Sequence, residues 1–293
     1  MKLFSATVAS EQSYGLAEGP LWDERRGRVL WVDINAGVVH SGRLEGGTIV
    51  ARAQIDFAET VGAVVCSADG QLLVAGARDL YRLDRDSDRA VLADLIPGEK
   101  HSRLNDGGCD PAGRFLVGSM ALDRREGEEC LYRIDRGPTV TIVDDDLSLS
   151  NGLAWSPDGT VMYSADTTPG VIWSRPYGAA TGDWGARAPV RRFGEGSPDG
   201  LCVDTDGNLW VAMYGAGEVR CYSPTGDRLA TVTVPAPNTT SVAFIGPERD
   251  ALLITTAREE LSSAQLDASP LSGHLFIANV HATGVAVTPW SGE

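Results

Sequence analysis

The sequence predicts an all-β protein, a six-bladed β-propeller with four antiparallel strands per blade, folded as one domain over residues 1–293. Three observations lead there. One pattern recurs six times: a small residue, a short apolar stretch, a turn rich in Asp, Pro and Gly, then an alternating apolar strand. The copies begin at 19, 62, 107, 152, 200 and 241, so they are spaced by 43, 45, 45, 48 and 41 residues, the period of a four-stranded propeller blade. The 34 glycines and 15 prolines suit a chain of many tight turns, and no stretch reads as a long amphipathic helix.

Each copy is a hairpin of strand, turn and strand. The six are 19–34 (GPLWDERRGRVLWVDI), 62–77 (GAVVCSADGQLLVAGA), 107–120, 152–166, 200–214 and 241–257. Third strands follow at 79–83, 130–134, 171–175, 218–222 and 274–280, and fourth strands at 89–93, 140–143, 190–193 and 228–234. An N-terminal strand at 5–10 is expected to complete the last blade and close the ring. Residues 259–266 are expected to form a helical turn or two. The charged insertion 122–129 (LDRREGEE) reads as a loop at the channel mouth, where a lid and a solvated hairpin tip are both open. Trp22, Trp31, Trp155 and Trp210 occupy repeated strand positions and are expected in the core between blades.

Composition narrows the function. Asp and Glu number 40 against 25 Lys and Arg, for a formal charge of −15. That balance argues against nucleic acid, whose phosphates require a basic footprint. No apolar run approaches the roughly 20 residues of a membrane span, and the N-terminus does not read as a signal peptide. Five scattered cysteines, odd in number and without a CxxC, favour reduced thiols in a cytoplasm over disulfides or a zinc site. There is no GxSxG elbow. The nearest approach to GxGxxG has Asp199 in the third glycine position. The four histidines show no HxxxH or HxH spacing, and His101 reads as a loop residue near Arg103.

The repeat register points to a site. The first strand of each blade lines the central channel, so equivalent positions face one axis. The residue before each repeat start is Glu18, Val61, Asp106, Asn151, Asp199 and Thr240. Singly, Asn151-Gly and Asp199-Gly are ordinary turn formers. Together, three carboxylates and an amide on one axis would repel without a cation between them. Oxygen-only donors suit Ca²⁺ first, then Mg²⁺ or Mn²⁺, with Fe²⁺ and Zn²⁺ open.

At these residues the sequence resembles the SMP-30/gluconolactonase/regucalcin family of six-bladed propeller lactonases. The resemblance is carried by 15–20 (GLAEGP), 103–107 (RLNDG), 110–114 (DPAGR), 150–152 (SNG), 197–200 (SPDG) and 255–258 (TTAR), in order and spacing over nearly the whole chain. It implies one catalytic divalent metal on Glu18, Asn151 and Asp199, and a sugar lactone held by Arg103 and Asn105. It also implies hydroxyl recognition at Asp123, where the family often has the longer Glu. Asp106 would support the metal through water or merely cap a turn.

Three protein ligands would leave positions for water and for the lactone carbonyl, which the cation would polarise. Asp199 is the candidate base, with a metal hydroxide oriented by Asp199 as the open variant. Arg103 is suited to fork two hydrogen bonds to ring hydroxyls or to the product carboxylate, its alternative being a surface salt bridge. The expected function is cytoplasmic, metal-dependent hydrolysis of an aldonic acid lactone. A phosphotriester or aryl ester hydrolase on the same site, and a Ca²⁺-binding regulatory protein without turnover, stand as alternatives.

Overall fold

A computed structural model describes residues 1–84, 89–135, 137 and 139–292. Six sheets form the blades of a propeller, each built on four antiparallel strands that run in chain order from the axis outward in blades 1–5, while blade 6 takes its outer strand from the N-terminus. The innermost strands are Ala17–Asp23, Ala63–Cys66, Ser102–Cys109, Ser150–Trp155, Ser197–Val203 and Thr239–Ile245. Each packs against the next, and the sixth packs against the first, so the ring is closed.

Alternation along the strands sends side chains to both faces of every blade. The core is therefore divided into six apolar clusters, one at each blade-to-blade contact. Trp22 and Trp31 fill the contact between blades 6 and 1, Trp210 that between 5 and 6, and partly buried Trp155 packs between 3 and 4. The expected role of these tryptophans holds.

Ring closure differs in detail from the expected strand at 5–10. The N-terminus supplies two strands, Lys2–Ser5 and Thr7–Ser13. The second is the outer strand of blade 6, antiparallel to His274–Asn279. The first adds a parallel fifth strand to blade 5 along Arg228–Thr233, so the N-terminus bridges two blades. The helix occupies Ser263–Ala268, later than expected, because the Ser262 side chain and Gln265 form a capping box that sets its start.

The segment after blade 6, to which the sequence assigned nothing, crosses the lower face of the ring. Gly284 N bonds Arg249 O in blade 6 (2.8 Å) and Val285 N bonds Val203 O in blade 5 (3.2 Å). On the opposite side of the axis, Trp290 N bonds Cys66 O in blade 2 and Ser291 N bonds Gly113 O in blade 3, both at 2.9 Å. This tail floors a channel cavity of about 400 Å³.

Candidate functional site

Five of the six innermost strands carry a register shift at or beside the repeat position. The shifts fall between Glu18 and Leu21, Leu104 and Gly107, Asn151 and Leu153, Pro198 and Leu201, and Thr239 and Ser241. A β-bulge re-aims a side chain that regular pleating would bury in a blade face. The small residue opening each repeat has a matching cause. A Cβ on Gly152, whose φ is +26°, would lie 2.6 Å from the Asp199 carbonyl oxygen, and one on Gly200 would lie 2.0 Å from Ser241 Oγ. Neighbouring inner strands thus meet backbone to backbone just where the polar side chains emerge.

Glu18, Asn151 and Asp199 are all buried at this upper end of the channel. Burial, followed by the Asp199 and Asp106 charges, lifts the Glu18 carboxyl well above its usual range. Burial and then Asp106 lift Asp199 in the same way, against the Gly200 amide and Arg103. Asp199 Oδ1 has no hydrogen-bond partner among the described residues, although its residue is only 4% exposed. Asp106 is half-buried and is pushed up to about 6 by burial, opposed by hydrogen bonds from the Gly107 and Gly152 amides. Among the described residues, no three His, Cys, Asp or Glu side chains form a metal-binding group by themselves. The predicted set takes its third donor from an amide, and such an all-oxygen set is the donor chemistry of a hard divalent cation.

Arg103 is 8% exposed, which removes the surface salt bridge as its role. Burial lowers its pKa, while the charges of Glu259, Glu18 and Asp199 act in the opposite sense. Its Nη1 donates to Leu104 O (3.0 Å) and to Asn105 Oδ1 (2.7 Å). Asn105 Nδ2 in turn donates to Ser150 O (3.0 Å) and Asn151 Oδ1 (3.1 Å). Asn105 therefore joins Arg103 to Asn151.

Asp123 stands apart. It lies exposed in the 122–128 loop, where Arg125 Nε donates to it at 2.7 Å and holds its carboxyl below the usual range. Arg125 also donates to His101 O (3.2 Å) and Ser102 Oγ (3.0 Å), and Gly127 N donates to Ser148 Oγ (3.0 Å). The loop is tied at several points to the strands beneath it. Its last charge, Glu129, belongs to the core: it is fully buried and accepts from Ser102 Oγ (2.7 Å) and Ser119 Oγ (2.5 Å). Thr240 commits its hydroxyl to the neighbouring inner strand, donating to Ala17 O at 2.6 Å.

Three positioning residues escaped the sequence reading. Asp33 accepts from Gly15 N (2.9 Å) and Leu16 N (3.0 Å), fixing the chain just before Glu18. Asp166 does the same for Asn151, accepting from Ser148 N (3.2 Å) and Leu149 N (2.9 Å). Both end the second strand of their blade, and that shared repeat position was a usable signal. Thr167 follows Asp166, accepts from Asn151 Nδ2 (2.9 Å) and donates to Pro198 O (2.8 Å).

Fold and site together define a six-bladed propeller with a buried oxygen-donor cluster at one end of a channel that the C-terminal tail crosses at the other. Residues 16–258 match the family described as the SMP-30/Gluconolactonase/LRE-like region. The chain belongs to that family. It is 34% identical to the 6-deoxy-6-sulfogluconolactonase of Pseudomonas putida over 94% of this chain and 95% of that one. It is 33% identical to the regucalcin of Bos taurus over 94% of each. Among solved structures, a calcium-binding protein, regucalcin, from Agrobacterium tumefaciens superposes with a TM-score of 0.92 at 29% identity, covering 99% of this chain and 98% of that one.

Proposed function

We propose that this protein hydrolyses a sugar lactone to the free acid with the help of one divalent cation, and that Glu18, Asn151 and Asp199 hold the cation. The observation that carries this reading is Asp199 Oδ1, a buried carboxylate oxygen without a hydrogen-bond partner among the described residues, beside a second buried carboxylate, Glu18. Such a pair is costly unless a cation balances it. The raised pKa of both groups expresses that cost. A lactonase name on a relative of matching length supports the substrate class. Ca²⁺ leads among the candidate cations, supported by the calcium-binding name of the Agrobacterium neighbour. The cytoplasm is the compartment that suits five unbridged cysteines.

In the reaction, water adds to the lactone carbonyl carbon, the ring C–O bond breaks, and the ring oxygen leaves as the hydroxyl of the acid. When bound, the cation supplies Lewis acidity toward the carbonyl oxygen. Asp199 takes the proton of the attacking water on its uncommitted oxygen and returns it to the ring oxygen as the C–O bond breaks. Arg103 binds ring hydroxyls and then the product carboxylate, and burial sharpens its charge-assisted hydrogen bonds. Asn105 keeps the guanidinium in place, and Asp123, at the rim, meets the outer hydroxyls. The bulged inner strands hold Glu18, Arg103, Asn105, Asn151 and Asp199 at one end of the channel, and the tail crosses the other.

The test is proton release, followed with a pH indicator, from a panel of aldonolactones. The protein is stripped with EDTA and single divalent cations are added back. Metal-restored release with one lactone is expected. Tight cation binding with no release above the spontaneous rate would favour the calcium-binding reading, which leaves Arg103 without a task.

A further inference from the structure

The polar groups of the site form one directed relay across three blades. Arg103 donates to Asn105 Oδ1, Asn105 Nδ2 to Asn151 Oδ1, Asn151 Nδ2 to Thr167 Oγ1, and Thr167 Oγ1 to Pro198 O. Its ends have no freedom. A guanidinium only donates and a carbonyl only accepts. With its single proton committed to Pro198, Thr167 shows Asn151 a lone pair, so Asn151 must turn its NH₂ toward Thr167. The same logic from the Arg103 end turns Asn105 Nδ2, and hence Asn151 Oδ1, the complementary way. An amide's two faces are otherwise nearly equivalent in shape, so only such a network chooses between them.

We propose that Thr167 is a positioning residue for the cation site: its hydroxyl fixes which face of the Asn151 amide meets the channel and ties that choice to the backbone carbonyl preceding Asp199. The inference rests on the reading of Asn151 and Asp199 as cation ligands. Asn151 Oδ1 accepts one bond from Asn105 and keeps its second lone pair for a cation, while Nδ2, which would repel a cation, is engaged on the far side by Thr167. Thr167 itself touches neither cation nor substrate. It acts through Asn151 and through Pro198, linking blade 4 to blade 5 where Gly152 already brings the two inner strands into contact.

The test is a double-mutant cycle read as the dissociation constant of Ca²⁺ or Mn²⁺ for EDTA-stripped protein, measured by calorimetry, with the thermal midpoint of the metal-free protein alongside. Thr167→Val removes the hydroxyl at nearly constant volume and is expected to weaken the cation about 10–100-fold, the usual effect of losing a partner that orients a ligand. Thr167→Ser keeps the hydroxyl and is expected to restore wild-type affinity. In an Asn151→Asp background both faces carry oxygen, orientation no longer matters, and adding Thr167→Val is expected to leave affinity unchanged. Thr167→Ala serves the same cycle should the valine protein not fold. Equal losses in both backgrounds, or wild-type affinity in Thr167→Val, would overturn the inference while the site reading stands. A wild-type protein that binds no divalent cation would overturn both.

Discussion

The two halves of the central channel are built from the same six strands and have opposite characters. At the upper end the strands bulge, and Glu18, Asn151, Asp199 and Arg103 are buried together. A few residues further along, regular pleating resumes and the wall is Leu21, Val64, Leu153, Leu201, Val242 and the tail residue Val285. The lower thiols follow that character: burial pushes Cys109 and Cys202 up, so both stay protonated at neutral pH. Asp106 borders both halves. The contrast teaches that one extra residue per bulged strand, with a glycine at the bulge, is enough to turn a core-forming repeat toward a polar cluster.

The largest expected effect breaks the upper half directly. Asp199→Asn keeps the shape but removes the proposed base and a charge. Lactone turnover is expected to fall by about 10²–10⁴-fold, the range a general base contributes. The metal-free protein is expected to melt higher, because a buried unpaired carboxylate has gone. An unchanged rate in steady-state assays would remove Asp199 from the chemistry.

A second substitution tests whether close backbone approach separates the halves. Gly152→Ala places a Cβ 2.6 Å from the Asp199 carbonyl at a residue with φ of +26°. Overpacking and backbone strain are each expected to cost about 1–3 kcal/mol in denaturant unfolding. Cation affinity should fall with stability, since the displaced strand carries Asp199. A stability loss with affinity intact would mean that the site does not depend on this contact.

The smallest effect sharpens the electrostatic contrast. In the metal-free protein, Glu18, Asp106 and Asp199 hold protons that the unfolded chain has already released. Raised folded-state values mean that stability falls as pH rises from the ordinary carboxylate range, through about 6 for Asp106, toward the higher values of Glu18 and Asp199. The slope is bounded by about 1.4 kcal/mol per pH unit for each proton involved. Saturating Ca²⁺ is expected to flatten it, and Glu18→Gln to reduce it without metal. Chemical unfolding across pH 4–8 would read this out, and a slope unmoved by Ca²⁺ would separate cation binding from these carboxylates.

Legibility followed the range of the interactions. The register position groups Glu18, Asn151 and Asp199, which are buried together, because the repeat translates sequence spacing into angular position around the axis. Thr240 shares that register without being counted among the cation donors, and it spends its hydroxyl on Ala17 O. The charge run at 122–129 gave no hint that Glu129 is fully buried on two serine hydroxyls, since hydropathy cannot distinguish a solvated acid from one satisfied by distant partners. Asp123 was placed by resemblance, and its bond to Arg125 is a local loop contact.

The sequence by itself determined the blade count, nearly every strand and the residues that share the axis, because alternation and turn chemistry are local and recur with the blade. Only the tertiary structure decided the bridging of blades 5 and 6 by the N-terminus, the tail across the lower face, and the relay from Arg103 to Pro198. Those features join residues that no period relates. They exist because ring closure brings neighbouring inner strands within hydrogen-bonding distance, where buried donors and acceptors must find each other.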